Sequence, residues 1–438
     1  MQKFKITTLG CKVNQSESEA IARCLKASEM IPIGENQAAD VCIVNTCAVT
    51  QKASMQSRQA IRQAIRSNPK AKIIVTGCYA QTAADEIKEI KGVQKIIGQA
   101  DKYKIPATIA QGKGRQIDGA VSDYRKNFFN PMPLPGFGER TRPFLKIQDG
   151  CDAFCTFCIV PHARGPSCSL PLKDVLTNIE KLGQIGYHEV VLAGIHLGRY
   201  GFDLSPRTNL LELLQAIGDS KAVERVRLSS IEPCELNEDL INFVSCSGSG
   251  PGSVCHHFHI PLQSGDNEIL KRMKRPYSGE FFKALVEKIH HALPDVAIGV
   301  DVLIGFPGES QASFENTFSL IEKLPLAYLH VFPFSARKGT PAYTFNGKVA
   351  SKVIKNRCRK MRELGNFKKK VFYESFVGKS FKTLVESKID EKTGLVKGRT
   401  TNYIPILLRA RNIKINTMVN TKIDTVDSDN IVYGTVCD

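Results

Sequence analysis

No stretch of this 438-residue chain approaches the ~18 consecutive apolar residues that a transmembrane helix requires. The opening residues, MQKFKITTLGCK, lack the apolar core of an export signal, so the expected compartment is the cytoplasm. Repeats at solenoid periods and low-complexity tracts are also missing. With 42% hydrophobic and 24% charged residues, the composition excludes a disordered or collagen-like chain. There is no G-x-x-x-x-G-K-[ST] stretch, so nothing supports ATP hydrolysis. His188-Glu189 lacks the second histidine of a zinc-protease helix. Acidic residues are scarce: Asp+Glu 43 against Lys+Arg 60, a net charge of +17. That surplus favours a polyanionic partner, nucleic acid before membrane.

Cysteine, by contrast, is abundant, with fourteen residues. A reducing cytosol makes disulfides a poor explanation, so metal binding or catalysis is the better default. Length alone suggests about three domains. Residues 1–110 alternate strand and helix signals, which predicts a parallel α/β domain. Its expected strands are Phe4–Leu9, Val41–Asn45, Ile73–Thr76 and Ile96–Ile97. Its expected helices are Ser16–Lys26, Met55–Ser67 and one near Ala83–Ile90.

Residues 111–142 carry Pro and Gly breakers and read as a connector. Residues 143–347 alternate again, with about six βα units, as in a partial α/β barrel whose site lies at the strand carboxyl ends. Residues 348–376 form a basic helical linker with ten Lys/Arg against Glu363 and Glu374. It reads either as a solvated face or as a phosphate-contacting arm. The strand-like runs of residues 377–438 predict a small β-barrel, an architecture that often binds RNA.

The sharpest pattern is Cys151-Asp-Ala-Phe-Cys155-Thr-Phe-Cys158, directly after a predicted strand. Three thiolates at this spacing can hold three corners of a cubane iron–sulfur cluster and leave one iron open. A zinc site completed by His162 or Cys168 is the competing reading. A second constellation places Cys11, Cys47 and Cys78 each just after a predicted strand. Carboxyl ends of parallel strands share one edge, so these thiols can converge. Gly10 and Gly77 would let the backbone turn tightly beside a bulky group. A second cluster and three ordinary buried cysteines both fit this pattern. The remaining eight cysteines show no ligand spacing. His256, His257 and His259 read as strand residues and not as a metal site.

The C-x3-C-x2-C run, with Phe157 before its third cysteine, resembles the radical S-adenosylmethionine superfamily. TLGCKVNQSESE, NTCAVTQKASMQSRQAIRQ and VTGCYAQ, together with FLKIQDGCDAFCTFCIVPHARG, HIPLQSGDNEILKRMKRPYS and DVLIGFPGE, resemble the methylthiotransferases of that superfamily. Gly398-Arg399-Thr400 and Asn402-Tyr403 resemble a TRAM domain. The resemblance runs through the whole chain. It implies an N-terminal parallel α/β domain, a central radical-SAM partial barrel and a TRAM-like barrel.

It also implies two [4Fe–4S] clusters, one on Cys151, Cys155 and Cys158 and an auxiliary one on Cys11, Cys47 and Cys78, with S-adenosylmethionine on the open iron. Gly10–Gln15, Ala193–Gly198 and His330–Ala342 are closest to the branch that modifies tRNA N6-threonylcarbamoyladenosine. The implied reaction is 2-methylthiolation of that base, 3′ of the anticodon, through a 5′-deoxyadenosyl radical. The implied partners are the tRNA anticodon stem-loop and a flavodoxin- or ferredoxin-type reductant, with the enzyme a monomer. Alternatives are the isopentenyladenosine branch, the branch that modifies a ribosomal-protein aspartate, a radical enzyme of other chemistry, and a noncatalytic zinc-containing RNA-binding protein.

Candidate contacts to S-adenosylmethionine lie at strand ends: Ala193 and Gly194 for the methionyl amine, Ser229, Ser230 and Glu232 for ribose or amine, and Asp301 and Gly305 beside adenine. Gln263 and Ser264 follow another strand toward the same pocket. No catalytic side chain stands out. Two departures from the family wording are Leu170, where an arginine is usual, and Ser245–Cys255, which reads as a glycine-rich surface loop.

Overall fold

The computed structural model describes residues 1–34, 37–110, 129, 140–248, 250–410 and 413–437. Most of the expected connector therefore lies outside the described residues.

The N-terminal sheet contains β1 (Lys3–Thr8), β2 (Ile31–Pro32), β3 (Val41–Thr46), β4 (Lys72–Gly77) and β5 (Lys95–Ile97), all parallel in the order β2-β1-β3-β4-β5. Every residue of β3 is buried, as expected of a strand covered on both faces. Adjacent placement of β1, β3 and β4 brings the residues that follow them to one edge.

Helix α1 (Lys12–Ala27) starts four residues before the expected Ser16, because Cys11 takes the N-cap position and no breaker follows it. Helix α2 (Gln51–Ser67) starts ahead of the expected Met55, because the Thr50 hydroxyl accepts from the Ala53 N–H at 3.0 Å. The helix expected near Ala83–Ile90 is present as the short helix Ala84–Lys88, and a further short helix that was not expected, α3 (Cys78–Thr82), precedes it.

The central sheet joins β6 (Phe144–Lys146), β9 (Glu189–Ala193), β10 (Arg225–Leu228) and β11 (Ser253–Val254) in the order β11-β10-β9-β6. A short ribbon, β7 (Gln148–Asp149) with β8 (Cys168–Ser169), flanks it. Strands β12 (His257–His259), β13 (Ala297–Ile304) and β14 (Tyr328–Pro333) form a second parallel sheet. A parallel bridge between Ser230 and His259 connects the two sheets; β11 and β12 follow each other along one edge of β10, so the seven strands fill six barrel positions. Among the described residues no pairing returns β14 to β6, so the barrel stays open.

The expected surface loop Ser245–Cys255 needs correction. Helix Glu238–Cys246 takes its start and β11 its end, because Ser253 and Val254 pair with Arg225 and Val226. Leu170 is buried in the barrel core and makes no polar side-chain contact of the kind an arginine would offer.

The C-terminal strands β15 (Ser380–Ile389), β16 (Val396–Thr400), β17 (Pro405–Arg409), β18 (Met418–Val426) and β19 (Val432–Cys437) close into a barrel. Strand β16 has no apolar alternation and was not expected. Its Gly398 lets Thr383 and Ile406 approach closely from the neighbouring strands. The basic segment forms helix Ser351–Glu374. It is no detached arm: Cys358, Met361 and Leu364 join the barrel core, and Arg357 pairs with buried Glu309 at 2.7 Å.

Two arginines of β10 fasten the C-terminal barrel to the central one. Arg225 donates to the Lys382 and Arg399 carbonyls, both at 2.9 Å, and Arg227 to the Thr400 carbonyl at 3.2 Å. Fully buried Glu189 pairs with both, at 2.7 and 2.8 Å. Burial alone would raise its carboxyl pKa, but Arg227 and Arg225 overcome that and hold it far below the usual range.

Glu189→Gln should therefore cost about 3 kcal/mol at neutral pH, because two guanidiniums lose their buried counter-charge. Glu189 contributes stability above the unfolded carboxylate pKa of about 4.3, and loses it as pH falls toward the depressed folded value. The gap between the two proteins should shrink below about pH 4. Urea unfolding at pH 7 and at acid pH checks both points.

Candidate active site

Cys11 N-caps α1, Cys47 follows β3 and Cys78 opens α3, so the three thiols stand at neighbouring strand ends. Gly10 and Gly77 both have positive φ, +101° and +99°. A Cβ on Gly10 would lie 3.1 Å from the Cys47 sulfur, and one on Gly77 would collide with the Thr46 backbone. These glycines are what permit the approach. Ser57 fixes the Cys47 turn, accepting from its N–H at 3.1 Å and donating to its carbonyl at 3.0 Å. The Cys78 sulfur accepts from the Gln99 amide at 3.1 Å. Burial, with the neighbouring Cys78 and Cys11, pushes the Cys47 thiol up to about 11. Burial also raises Cys78, against Arg164 and Lys102. Thiols that hinder one another's ionisation in this way are strong ligands once a cationic group neutralises them.

The second trio sits on the loop after β7. Gly150, at φ +71°, lets that loop press on Pro166, and the Cys151 N–H reaches the Gly165 carbonyl at 3.0 Å. Thr156 pins the loop to the barrel through the Met273 and Arg272 carbonyls at 3.1 and 2.8 Å. Each of two cysteines has a polar escort. Cys151 sulfur lies 3.3 Å from His196 Nδ1, and His196 Nε2 lies 2.6 Å from Glu235. Cys155 sulfur accepts from Arg275 at 3.2 Å, and Arg275 pairs with Glu232. Burial pushes Cys158 up to about 12, and it raises Cys155 against Arg275.

A buried ion network runs from α1 to Asp149, just ahead of Cys151, and lies within electrostatic reach of Cys47 and Cys78. Arg164 donates to Asn14 at 2.6 Å, Glu17 at 3.1 Å and Asp149 at 2.7 Å. Lys102 and Lys146 also pair with Glu17. Three cations thus face two carboxylates, and Cys78 and Cys11 are among the groups that hold Arg164 protonated. The surplus positive charge is turned toward the thiols, as an anionic thiolate-bound group requires.

Each trio offers three thiols, the donor set for three corners of a cubane with one iron left open, and so fits a [4Fe–4S] group. Elsewhere among the described residues, His259, Asp301 and His330 bring their ligand atoms within 4.8 Å of one another.

A cavity of ≈ 730 Å³ opens beside Cys155, lined by His196, Glu232, Glu235, Arg275 and Tyr277 among others. Of the expected S-adenosylmethionine contacts, only Glu232 lines it; burial raises the Glu232 carboxyl against Arg275. Ala193 and Gly194 end β9, and the Gly194 N–H donates to Ser229 at 3.2 Å. Ser230 lies 2.8 Å from His259, while Asp301 binds His259 at 2.8 Å and His330 at 3.1 Å. Gly305 turns at φ +84° and abuts Ile354 of the basic helix. Gln263 bridges to Val302, and Ser264 is buried against Thr317. The candidates therefore divide between the cavity, the barrel interior and the basic helix.

The family description "Uncharacterized protein family UPF0004" matches residues 3–98, and "Radical SAM superfamily" matches residues 145–321. A Bacillus subtilis (strain 168) protein named threonylcarbamoyladenosine tRNA methylthiotransferase MtaB is 38% identical over 421 residues, 95% of this chain and 92% of that protein. The Aquifex aeolicus protein of the same name is 35% identical over 92% of this chain and 96% of its own length. The chain belongs to the threonylcarbamoyladenosine tRNA methylthiotransferase family.

Its likeness to a tRNA-2-methylthio-N(6)-dimethylallyladenosine synthase from Clostridium tetani is 32%, over 96% of this chain and 93% of that one. A solved radical S-adenosylmethionine methyltransferase, TsrM from Kitasatospora setae, shares the fold at a TM-score of 0.52 and 14% identity, covering 78% and 77% of the two chains. In this methylthiotransferase, sequence reasoning did not single out Arg164, His196, Arg275 or Lys12. Each lies inside a stretch that carries the family resemblance, but no spacing rule marks a lone cation or histidine.

Proposed function

We propose that this chain converts tRNA N6-threonylcarbamoyladenosine, 3′ of the anticodon, to its 2-methylthio derivative, with Cys151, Cys155 and Cys158 holding one [4Fe–4S] cluster and Cys11, Cys47 and Cys78 the other. The observation that carries this reading is the pair of cysteine trios, one at three neighbouring strand ends backed by a buried cationic network and one on the loop after β7. When bound, the two clusters and S-adenosylmethionine supply a radical that takes hydrogen from C2 of the base, and the sulfur and methyl that replace it.

The protein's own groups set the conditions. Arg275 and His196 give hydrogen bonds to the Cys155 and Cys151 sulfurs, which stabilises thiolate and fixes the loop. Glu232, on the cavity wall, offers a carboxylate to an amine or a ribose hydroxyl. Ala193 and Gly194 at the end of β9, Ser229 and Ser230 after β10, and Gly305 just beyond β13 complete the set of candidate contacts, while Asp301 is engaged by His259 and His330 away from the cavity wall. The Cys47 and Cys78 side chains are buried and Cys11 is exposed, so the auxiliary site opens to solvent on the Cys11 side.

The substrate in this reading is the anticodon stem-loop of tRNA, gripped by exposed Lys352, Lys355, Arg359 and Lys360 and by the C-terminal barrel. The electron source is a flavodoxin- or ferredoxin-type reductant, the enzyme acts as a monomer, and its compartment is the cytoplasm. Among the described residues no helix is long and apolar enough to cross a membrane.

Lys352→Ala and Lys355→Ala together should weaken stem-loop binding and lower its log–log salt slope by about two. Filter binding across a salt series tests that. The reaction itself is tested with reconstituted protein and a modified stem-loop, reading nucleosides by mass spectrometry.

A further inference from the structure

Tyr403 is the meeting point of the three parts of the molecule. It sits in the left-handed region at φ +70°, a conformation that costs a non-glycine residue and persists only where surroundings impose it. Arg399 and Arg227 stand over its ring at 4.7 and 4.9 Å, and His257 packs on it at 4.1 Å. Tyr328 is 6.0 Å away. Lys12, directly after Cys11, lies within electrostatic reach of Tyr403, Arg227, Arg142 and Asp301.

The charges here do not cancel. Arg142, Arg225, Arg227 and Arg399 have Glu189 and Glu386 as carboxylate partners. Lys12 makes no ion pair or hydrogen bond among the described residues, and the buried Arg399 Nε lacks a hydrogen-bond partner. The surplus lowers the Tyr403 hydroxyl against its burial, and burial, helped by Arg142, lowers the Arg399 guanidinium. Such a cluster of cations suits an anionic ligand. Asp301, within electrostatic reach of Lys12, is fixed by His259 and His330 through one oxygen, Oδ1.

We propose that Lys12 and Arg399, grouped around Tyr403, bind the carboxylate of the substrate's threonyl group and so select threonylcarbamoyladenosine over uncharged N6 substituents. This rests on the reading of the reaction given above. An anionic ligand could also be a backbone phosphate of the same tRNA. Asp301 repels either anion, but a phosphate brings only acceptors, whereas a threonylcarbamoyl group also brings N–H and O–H donors for that carboxylate. Lys12 and His330 also fall within two of the three stretches that most resemble the threonylcarbamoyl branch, Gly10–Gln15 and His330–Ala342.

The test uses reconstituted holoenzyme, wild type and Lys12→Met, with four anticodon stem-loops. They carry threonylcarbamoyladenosine, its methyl ester, isopentenyladenosine or plain adenosine. Binding is measured for every pair, and turnover beside it. The wild type should bind the free acid at least about tenfold more tightly than the ester, as a charge-assisted contact provides. Lys12→Met should lose most of that preference, with the other three RNAs changed little. Lys12→Arg should restore part of it, which a merely misfolded site would not do.

Equal weakening of all four RNAs would overturn the proposal in favour of a phosphate contact. An unchanged acid-to-ester ratio in a folded Lys12→Met protein would overturn it outright. Selective binding without any turnover would refute the proposed reaction and leave the pocket standing.

Discussion

Cys47→Ala should reduce bound iron from about eight to about four per chain and bring methylthiolation to background. The reductive cleavage of S-adenosylmethionine should survive, because Cys151, Cys155 and Cys158 keep their own loop and escorts. The turn around Cys47 is held by Ser57 through its backbone, so alanine keeps the fold. Cys155→Ala should do the reverse, losing both cleavage and product. Iron and sulfide analysis beside 5′-deoxyadenosine release separates the two variants. Unchanged iron in Cys47→Ala would show that Cys11, Cys47 and Cys78 are ordinary buried thiols.

The second large effect is expected at Arg164. Arg164→Met leaves Glu17 and Asp149 with Lys102 and Lys146, so the net charge of the network falls from positive to neutral. Hydrogen bonds to Asn14, Glu17 and Asp149 vanish from a side chain that is 1% exposed. Breaking a buried pair of this kind costs about 3–5 kcal/mol. The variant should unfold at markedly lower denaturant and lose auxiliary iron before radical-cluster iron. Arg164→Lys should recover part of the stability and less of the iron, because an ammonium cannot make the same fork of contacts. Loss of stability with both clusters fully retained would remove the link between this network and the auxiliary thiols.

Much of this was legible in the sequence, and the reasons differ by element. Cys151–Cys158 is a local motif, readable because its three ligands lie within eight residues. Cys11, Cys47 and Cys78 were readable only through fold logic: strands that alternate with helices form a parallel sheet, and their carboxyl ends share an edge. That inference needed β1, β3 and β4 to be neighbours, which they are.

Strand β16 was missed because Val396–Thr400 is polar, and its place comes from pairing on both sides. The basic helix was legible as a helix, but its charge count concealed that Arg357 is buried on Glu309 and that Lys368 donates to the Glu322 and Leu324 carbonyls. Arg164 with Glu17, and Lys12 with Tyr403, are separated by well over a hundred residues. Their meeting depends on how the three parts pack, which no local pattern encodes. The strand-end polar residues show the same limit. Alternation places Ser230 and Asp301 at strand positions but does not say that His259 binds both.

One measurement addresses the central claim directly. Anaerobically reconstituted protein, with reductant and S-adenosylmethionine, is incubated with a stem-loop carrying threonylcarbamoyladenosine, and the digested nucleosides are analysed by mass spectrometry. The account predicts 2-methylthio-N6-threonylcarbamoyladenosine at the expense of its precursor, in wild type and not in Cys47→Ala. Methylthiolation of an isopentenyladenosine stem-loop in preference, or no product from a preparation holding about eight irons, would contradict it.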